Sequence, residues 1–167
     1  MGAVRSLLLA LAAFAVMEPV TAATHRFVMH GVGFALHRSH HHGDHRRWEA
    51  NDAFPLMFAA VVCAGLWIGF HDARLADLIP IGTGITAYGA AYALVHDVYI
   101  HGRMRWFQPA GGPIRRVPLL DRLASAHALH HRHDGAPYGM LVPIIPARAR
   151  GRTRSVSCAD PDWARNG

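Results

Sequence analysis

Two uncharged apolar runs decide what this chain can fold into: "AFPLMFAAVVCAGLWIGF", Ala53 to Phe70, and "LIPIGTGITAYGAAYALV", Leu78 to Val95. Each has 18 residues, or about 27 Å as a helix, at the short end of what spans a hydrocarbon core. A bilayer offers no hydrogen bonds to the backbone, so such runs are read as helices. A third stretch, Leu7 to Ala23, is broken by Glu18 and Pro19. Arg5 and the small residues "VTAA" give it the look of a cleavable signal peptide. A retained span over about residues 4–23 is the favoured reading, because His25 follows so closely. Glu18 is late in that span, where an interfacial or functional carboxylate is tolerated.

Composition agrees with a membrane. Hydrophobic residues make up 51% and charged residues 17% of the chain, against roughly 25% charged in soluble domains. The fold class expected is all-α, an integral membrane helical bundle. Residues 1–146 form its one domain, with an interfacial helix at about 119–131 whose Leu119, Leu120, Leu123 and Ala124 can face the membrane. The polar, arginine-rich residues 147–167 read as a disordered basic tail. Asn51 and Asp52 are cap candidates for the span that carries Pro55 in its first turn. The glycines and alanines of the 78–95 span allow helices to approach closely.

All 17 basic residues are arginine, against 11 acidic ones. No basic motif interleaved with aromatics and no helix-turn-helix pattern accompanies that excess, which argues against nucleic acid. Cys63 lies in an apolar run and Cys158 in the polar tail, with no Cys-x-x-Cys, so neither a disulfide framework nor thiolate ligation is expected. If 53–70 crosses one way and 78–95 returns, residues 25–52 and everything after 95 share a side. Thirteen of the 14 histidines then lie on that side, and His71 alone on the other. Arg26, Arg38, Arg46, Arg47, Arg103 and Arg105 flank the histidine side, Arg5 and Arg74 the opposite one. The positive-inside rule makes the histidine face cytoplasmic.

Those histidines follow a repeated order. "HRFVMH" supplies His25 and His30, and "HRSHH" supplies His37, His40 and His41. "HDVYIH" then supplies His96 and His101, and "HALHH" His127, His130 and His131. Offsets of three and four return to nearly one helix face, so each triplet projects together and is expected to supply much of one metal's ligand shell. A five-residue offset turns by about 140° on an ideal helix. The two His-x4-His pairs must therefore bridge different neighbours, or sit on a local irregularity at a helix end. Ten imidazoles exceed one coordination sphere and fit two, which makes a dinuclear centre; imidazole alone does not select iron, zinc, copper or nickel. Asp97, Asp44, Asp52 and Asp134 are placed to accept from histidine N–H groups behind the ligands and to offset the metal charge. His71, His45 and His133 read as ordinary solvated side chains, and His42, which breaks the repeat, as a spare neighbour. Any single His-x2-His-His has adventitious metal affinity as its bland explanation; four ordered motifs on one face do not.

"HRFVMHG" with "HRSHH", "WEANDAF", "TAYGAAYALVHDVYIHGR" and "AHALHH" together resemble the membrane di-iron fatty-acid hydroxylase and sterol desaturase superfamily. Within it they are most similar to the bacterial β-carotene 3-hydroxylase family, over roughly residues 18–131. The resemblance implies two non-haem irons on the ten motif histidines, O2 as co-substrate, and electrons from an external ferredoxin-type donor or reductase chain. It also implies a lipophilic carotenoid taken from the membrane lipid of a bacterial inner membrane, hydroxylated from β-carotene through β-cryptoxanthin to zeaxanthin. Two departures bear on which ring is accepted. Val32, Phe34 and Leu36 stand where the family carries tryptophans, and "HDGAPYGMLVPIIP" is only loosely like its ending.

The chemistry fits independently: a ring methylene offers no acidic proton or leaving group and calls for oxidising metal chemistry. No serine nucleophile motif, phosphate loop or dinucleotide fingerprint competes. Rival readings are hydroxylation or desaturation of a sterol or acyl chain by a member of the same superfamily, and a non-catalytic histidine-rich metal-binding protein. A metal transporter is disfavoured, because the interiors of the two main spans lack ionisable ligands.

Overall fold

The computed structural model describes residues 2–42, 48–103, 117–145 and 147, and among the described residues all regular secondary structure is helical, with no strand. Helix α1 (Ala3–Thr24) runs without a break into a π-helical segment, His25–Val32, and α2 (Phe34–His42) follows. A single 3-10 turn, Ala50–Asp52, leads into α3 (Ala53–His71), and a second, Ala73–Leu75, reverses the chain into α4 (Leu78–Ala93). Helix α4 continues as a second π-helical segment, Leu94–Ile100, and α5 (Pro118–His133) comes last. The fold is thus all-α, as the apolar runs require.

Three continuous rods, Ala3–Val32, Ala50–His71 and Leu78–Ile100, are long and apolar enough to cross a membrane. Of their most apolar stretches only 6%, 11% and 28% is buried within the protein. Leu7, Leu11, Val61, Trp67 and Phe70 all stand exposed. A water-soluble bundle would have turned such side chains inward, whereas lipid is the solvent that accommodates them here.

Helix α4 lies between α1 and α3. At the α1–α4 crossing, a Cβ on Gly84 would come within 2.1 Å of the Ala10 carbonyl oxygen, so only glycine permits this approach. At one end of the bundle Arg5 pairs with Asp77, Arg74 pairs with Asp72, and His71 bonds the Trp67 carbonyl at 2.7 Å. The other end gathers both π-helical segments, α2 and α5 into a layer of histidines.

Helix α5 departs from expectation. Leu119 is exposed, but Leu123 and Ala124 are buried with Val95, Ile100 and Met140 in the apolar core beneath the histidines. Helical spacing explains the correction: residues 123 and 124 lie on the face that also carries His127 three and four positions later, and that face is turned inward. The expected caps of α3 are also used otherwise. Asp52 accepts the Glu49 N–H at 3.0 Å, and Asn51 turns toward His37. Residues 148–167, expected as a disordered tail, lie outside the described residues, as do Asp44 and His45.

Candidate metal centre

The π-helical segments resolve the five-residue spacing. With i→i+5 bonding, residues five apart come into near register instead of diverging. His25 and His30 accordingly have ring centroids 5.1 Å apart, and His96 and His101 4.6 Å apart. Both segments extend membrane-crossing helices, so α1 and α4 each deliver a paired set of imidazoles to the histidine layer.

The structure brings all ten motif histidines together in two groups. His25, His30, His37, His41 and His130 form the first; His40, His96, His101 and His127 form the second, with donor atoms within 4.8 Å of one another in each. His131 joins the second group, its Nε2 2.8 Å from His127 Nε2 and 3.2 Å from His40 Nε2. Two nitrogen donors at about 2.1 Å on opposite sides of one ion are about 4.2 Å apart. Each group therefore has the dimensions of a single ion's shell.

The triplets each divide between the two groups, whereas spacing alone led each to be expected within one metal's shell. His37 and His41 enter the first group while His40 enters the second; His127 and His131 enter the second while His130 enters the first. On a helix, i and i+4 are about 40° apart, whereas i+3 falls about 60° to the other side of i. The outer pair of each triplet therefore aims one way and its middle histidine the other. Each group combines one His-x4-His pair, the outer pair of one triplet and the middle histidine of the other.

Hydrogen bonds behind the rings decide which nitrogen is bare. His25 Nδ1 donates to the Tyr138 carbonyl at 3.1 Å, and His130 Nδ1 to the Gly135 carbonyl at 2.6 Å. His37 Nδ1 donates to Asn51 Oδ1 at 2.7 Å, His40 Nδ1 to Glu49 Oε2 at 3.3 Å, and His96 Nδ1 to Asp97 Oδ1 at 3.0 Å. His41 Nδ1 lies 2.7 Å from Asp134 Oδ1. A proton held on Nδ1 leaves Nε2 as an unprotonated lone pair. Yet His25 and His37 face each other Nε2 to Nε2 at 3.0 Å, and His40 and His96 at 3.1 Å. No hydrogen bond joins two bare lone pairs, whereas a cation between them satisfies both. The donor set fits divalent metal.

Protons do not compete for the ring nitrogens of His37, His40, His41 and His130 near neutrality. Burial first, and then neighbouring imidazoles, holds His37 and His40 down to about 4, His130 to about 3 and His41 to about 2. The same causes push His127 and His131 well below the ordinary histidine value.

Behind the second group sits a half-buried charge cluster. The Arg103 guanidinium bonds both Asp52 oxygens at 2.8 and 2.9 Å, reaches Asp97 Oδ1 at 3.3 Å, and lies 3.9 Å from Glu49 Oε1. Three carboxylates against one guanidinium leave two negative charges beside a site suited to cations. Gly102, at φ 59, makes the turn after the second π-helical segment that brings Arg103 back onto this cluster. Asp97 and Asp134 thus stand behind ligands, but Asp52 reaches Arg103 and the Glu49 amide instead of an imidazole. Glu49, Asn51, Gly135 and Tyr138 were not foreseen as acceptors. The one available signal was "WEANDAF", which packs three side-chain acceptors into the four residues before a span.

No family model matches the chain, and no solved structure matches it. Among known proteins, it is 41% identical over 151 residues to a beta-carotene hydroxylase of Pseudescherichia vulneris, covering 86% of this chain and 80% of that protein. It is 37% identical over 122 residues to a beta-carotene hydroxylase of Pantoea ananas, covering 71% of this chain and 64% of the relative. The chloroplastic beta-carotene hydroxylase 1 of Capsicum annuum is 38% identical over 122 residues, and the chain spans 37% of its length. With its two histidine groups carried on apolar helices, the chain belongs to the beta-carotene hydroxylase family, within the fatty-acid hydroxylase and sterol desaturase superfamily.

Proposed function

We propose that this protein is a carotenoid β-ring 3-hydroxylase, taking β-carotene through β-cryptoxanthin to zeaxanthin with two non-haem irons on its ten motif histidines. The observation that carries the reading is the division of those imidazoles into two metal-sized groups, in a chain of this family. Bound iron would supply the oxidising chemistry an unactivated ring methylene needs, with O2, two electrons and two protons consumed, one oxygen atom inserted at carbon 3 and the other released as water.

The protein's own residues prepare that chemistry. The Nδ1 acceptors fix the tautomer and orientation of His25, His37, His40, His96 and His130, and burial keeps His37, His40 and His130 neutral and ready to ligate. Phe27, Val28, Val32 and Leu94, exposed on the π-helical segments that carry His25, His30 and His96, offer an apolar surface beside the site. A lipophilic ring reaches the centre laterally from the bilayer over such a surface. The arginines flanking the histidine end support a cytoplasmic orientation in a bacterial inner membrane. The same basic face suits an acidic, ferredoxin-type electron donor.

The test is expression in a bacterium that accumulates β-carotene, followed by chromatography of its pigments. β-Cryptoxanthin and zeaxanthin are expected. Their absence, with the protein verified in the membrane and a reductant supplied, would overturn the assignment. A carboxy-terminal reporter active only in the cytoplasm tests the orientation.

A further inference from the structure

Glu18 is a carboxylate placed inside a membrane-crossing helix, seven residues before His25 and so about 10 Å from the histidine layer along α1. Among the described residues no hydrogen bond or ion pair joins it to a histidine. Tyr88 of α4 donates to its Oε2 at 2.6 Å, the Leu141 N–H to Oε2 at 3.1 Å, and the Val142 N–H to Oε1 at 2.8 Å. The two amides belong to the irregular segment that follows α5.

That same segment contacts three of the five histidines of the first group and supplies hydrogen-bond acceptors to two of them. Asp134 lies against His41, the Gly135 carbonyl accepts from His130, and the Tyr138 carbonyl accepts from His25. The segment then runs down along α1, with Val142 66% and Ile144 82% exposed as on a lipid-facing surface. Irregular backbone at membrane depth must have its N–H groups satisfied by protein, because lipid cannot do it. A carboxylate, with two oxygens and no hydrogen to donate, serves adjacent amides and the tyrosine together. Gly139 completes the fit: a Cβ there would stand 2.6 Å from Glu18 Oε1.

We propose that Glu18 is a positioning residue for the metal held by His25, His30, His37, His41 and His130, acting by clamping residues 138–142 onto α1. The proposal rests on the dinuclear reading. It is selective, since the acceptors seen behind His40 and His96, Glu49 and Asp97, lie on other parts of the chain.

The test uses the full-length protein in lipid nanodiscs, loaded anaerobically with ferrous iron, with iron per chain and amide hydrogen exchange as readouts. Wild type should bind two irons, and fewer would overturn the dinuclear reading itself. In Glu18→Gln an amide N–H2 replaces one acceptor oxygen. Iron should fall toward one per chain as the first group weakens by about 10–100-fold, and the amides of Leu141 and Val142 should exchange faster. Added to His101→Ala, the same change should remove the remaining iron; added to His30→Ala, it should remove little more. Gly139→Ala, which leaves Glu18 in place but crowds its carboxylate, should act in the same direction and serves if Glu18→Gln does not fold. Two irons retained at wild-type affinity would overturn the proposal. So would equal weakening of both groups, the mark of a merely structural role.

Discussion

His40 and His41 are adjacent in the chain and serve different groups: His40 Nε2 lies 3.1 Å from His96 Nε2, whereas His41 Nε2 lies 3.1 Å from His37 Nε2. Neighbouring residues on a helix diverge by about 100°, and α2 uses that divergence to stand between the two sites. Together with the equivalent split of His130 from His127 and His131, it ties the two groups to one pair of helices. Neither group is complete on one helix, so assembly of the layer requires α2 and α5 to meet.

Replacing either residue should therefore remove a different iron. His40→Ala and His41→Ala are each expected to lower hydroxylation by more than about 100-fold, beyond the usual cost of losing an acceptor behind a ligand. Spectroscopy of the residual iron should report a different surviving site in each variant. Identical residual spectra would contradict the split.

Glu49→Gln should be milder than loss of a ligand. The His40 Nδ1 proton keeps an acceptor, but the carboxylate that makes the imidazole a stronger donor is gone. A drop of about 10–100-fold in iron affinity is expected, measured by competition with a chelator. Arg103→Leu acts on the same cluster through charge. It would leave Glu49, Asp52 and Asp97 without their counter-ion; the cluster is half-buried, so the cost should fall below the ~3–5 kcal/mol of a fully buried pair broken on one side. The readout is thermal unfolding at fixed iron.

Much of this arrangement was legible in the sequence, and the reasons differ by level. The spans follow from uncharged apolar runs of bilayer length, a property independent of tertiary contacts. The ten histidines follow from their repeated order. What one-dimensional spacing hid was geometry set by the third dimension. A His-x4-His pair is out of register on an α-helix and in register on a π-helical segment, and residue order alone does not choose between them. The triplet split depends on where the facing helix stands. Asn51 and Asp52 have the chemistry of helix caps and are drawn away by His37 and Arg103, because buried imidazole and guanidinium N–H groups are stronger claimants than helix amides open to water. Leu123 and Ala124 look lipid-facing until His127 on the same face is seen to point inward.

Gly84 offers a test of whether the two membrane helices must stay in contact for the centre to form. Helix α1 carries His25 and His30 in its extension, and α4 carries His96 in its extension with His101 immediately after it. Gly84→Val would drive a side chain into the Ala10 backbone, 2.1 Å from its carbonyl oxygen at the Cβ alone. Overpacking of this kind usually costs about 1–3 kcal/mol, and a rigid backbone contact offers little relief. Both irons should be lost together, unlike the single loss expected from a ligand variant, and folded yield should fall in parallel.

The pH response of metal-free protein tests the burial of the layer. His37 and His40 are held at about 4 in the folded state, against an ordinary 6.5. A lowered histidine value means that the unfolded chain binds protons the folded one refuses, so stability rises with pH through that window. Above about pH 7 neither state is protonated and the contribution is flat. Between about pH 6.5 and 4 each such histidine should reduce stability by up to about 1.4 kcal/mol per pH unit. The melting temperature of the metal-free protein should accordingly fall steeply on acidification from neutrality. A curve flat between pH 7 and 5 would mean that water reaches the imidazoles and that the closed layer described here is not what forms.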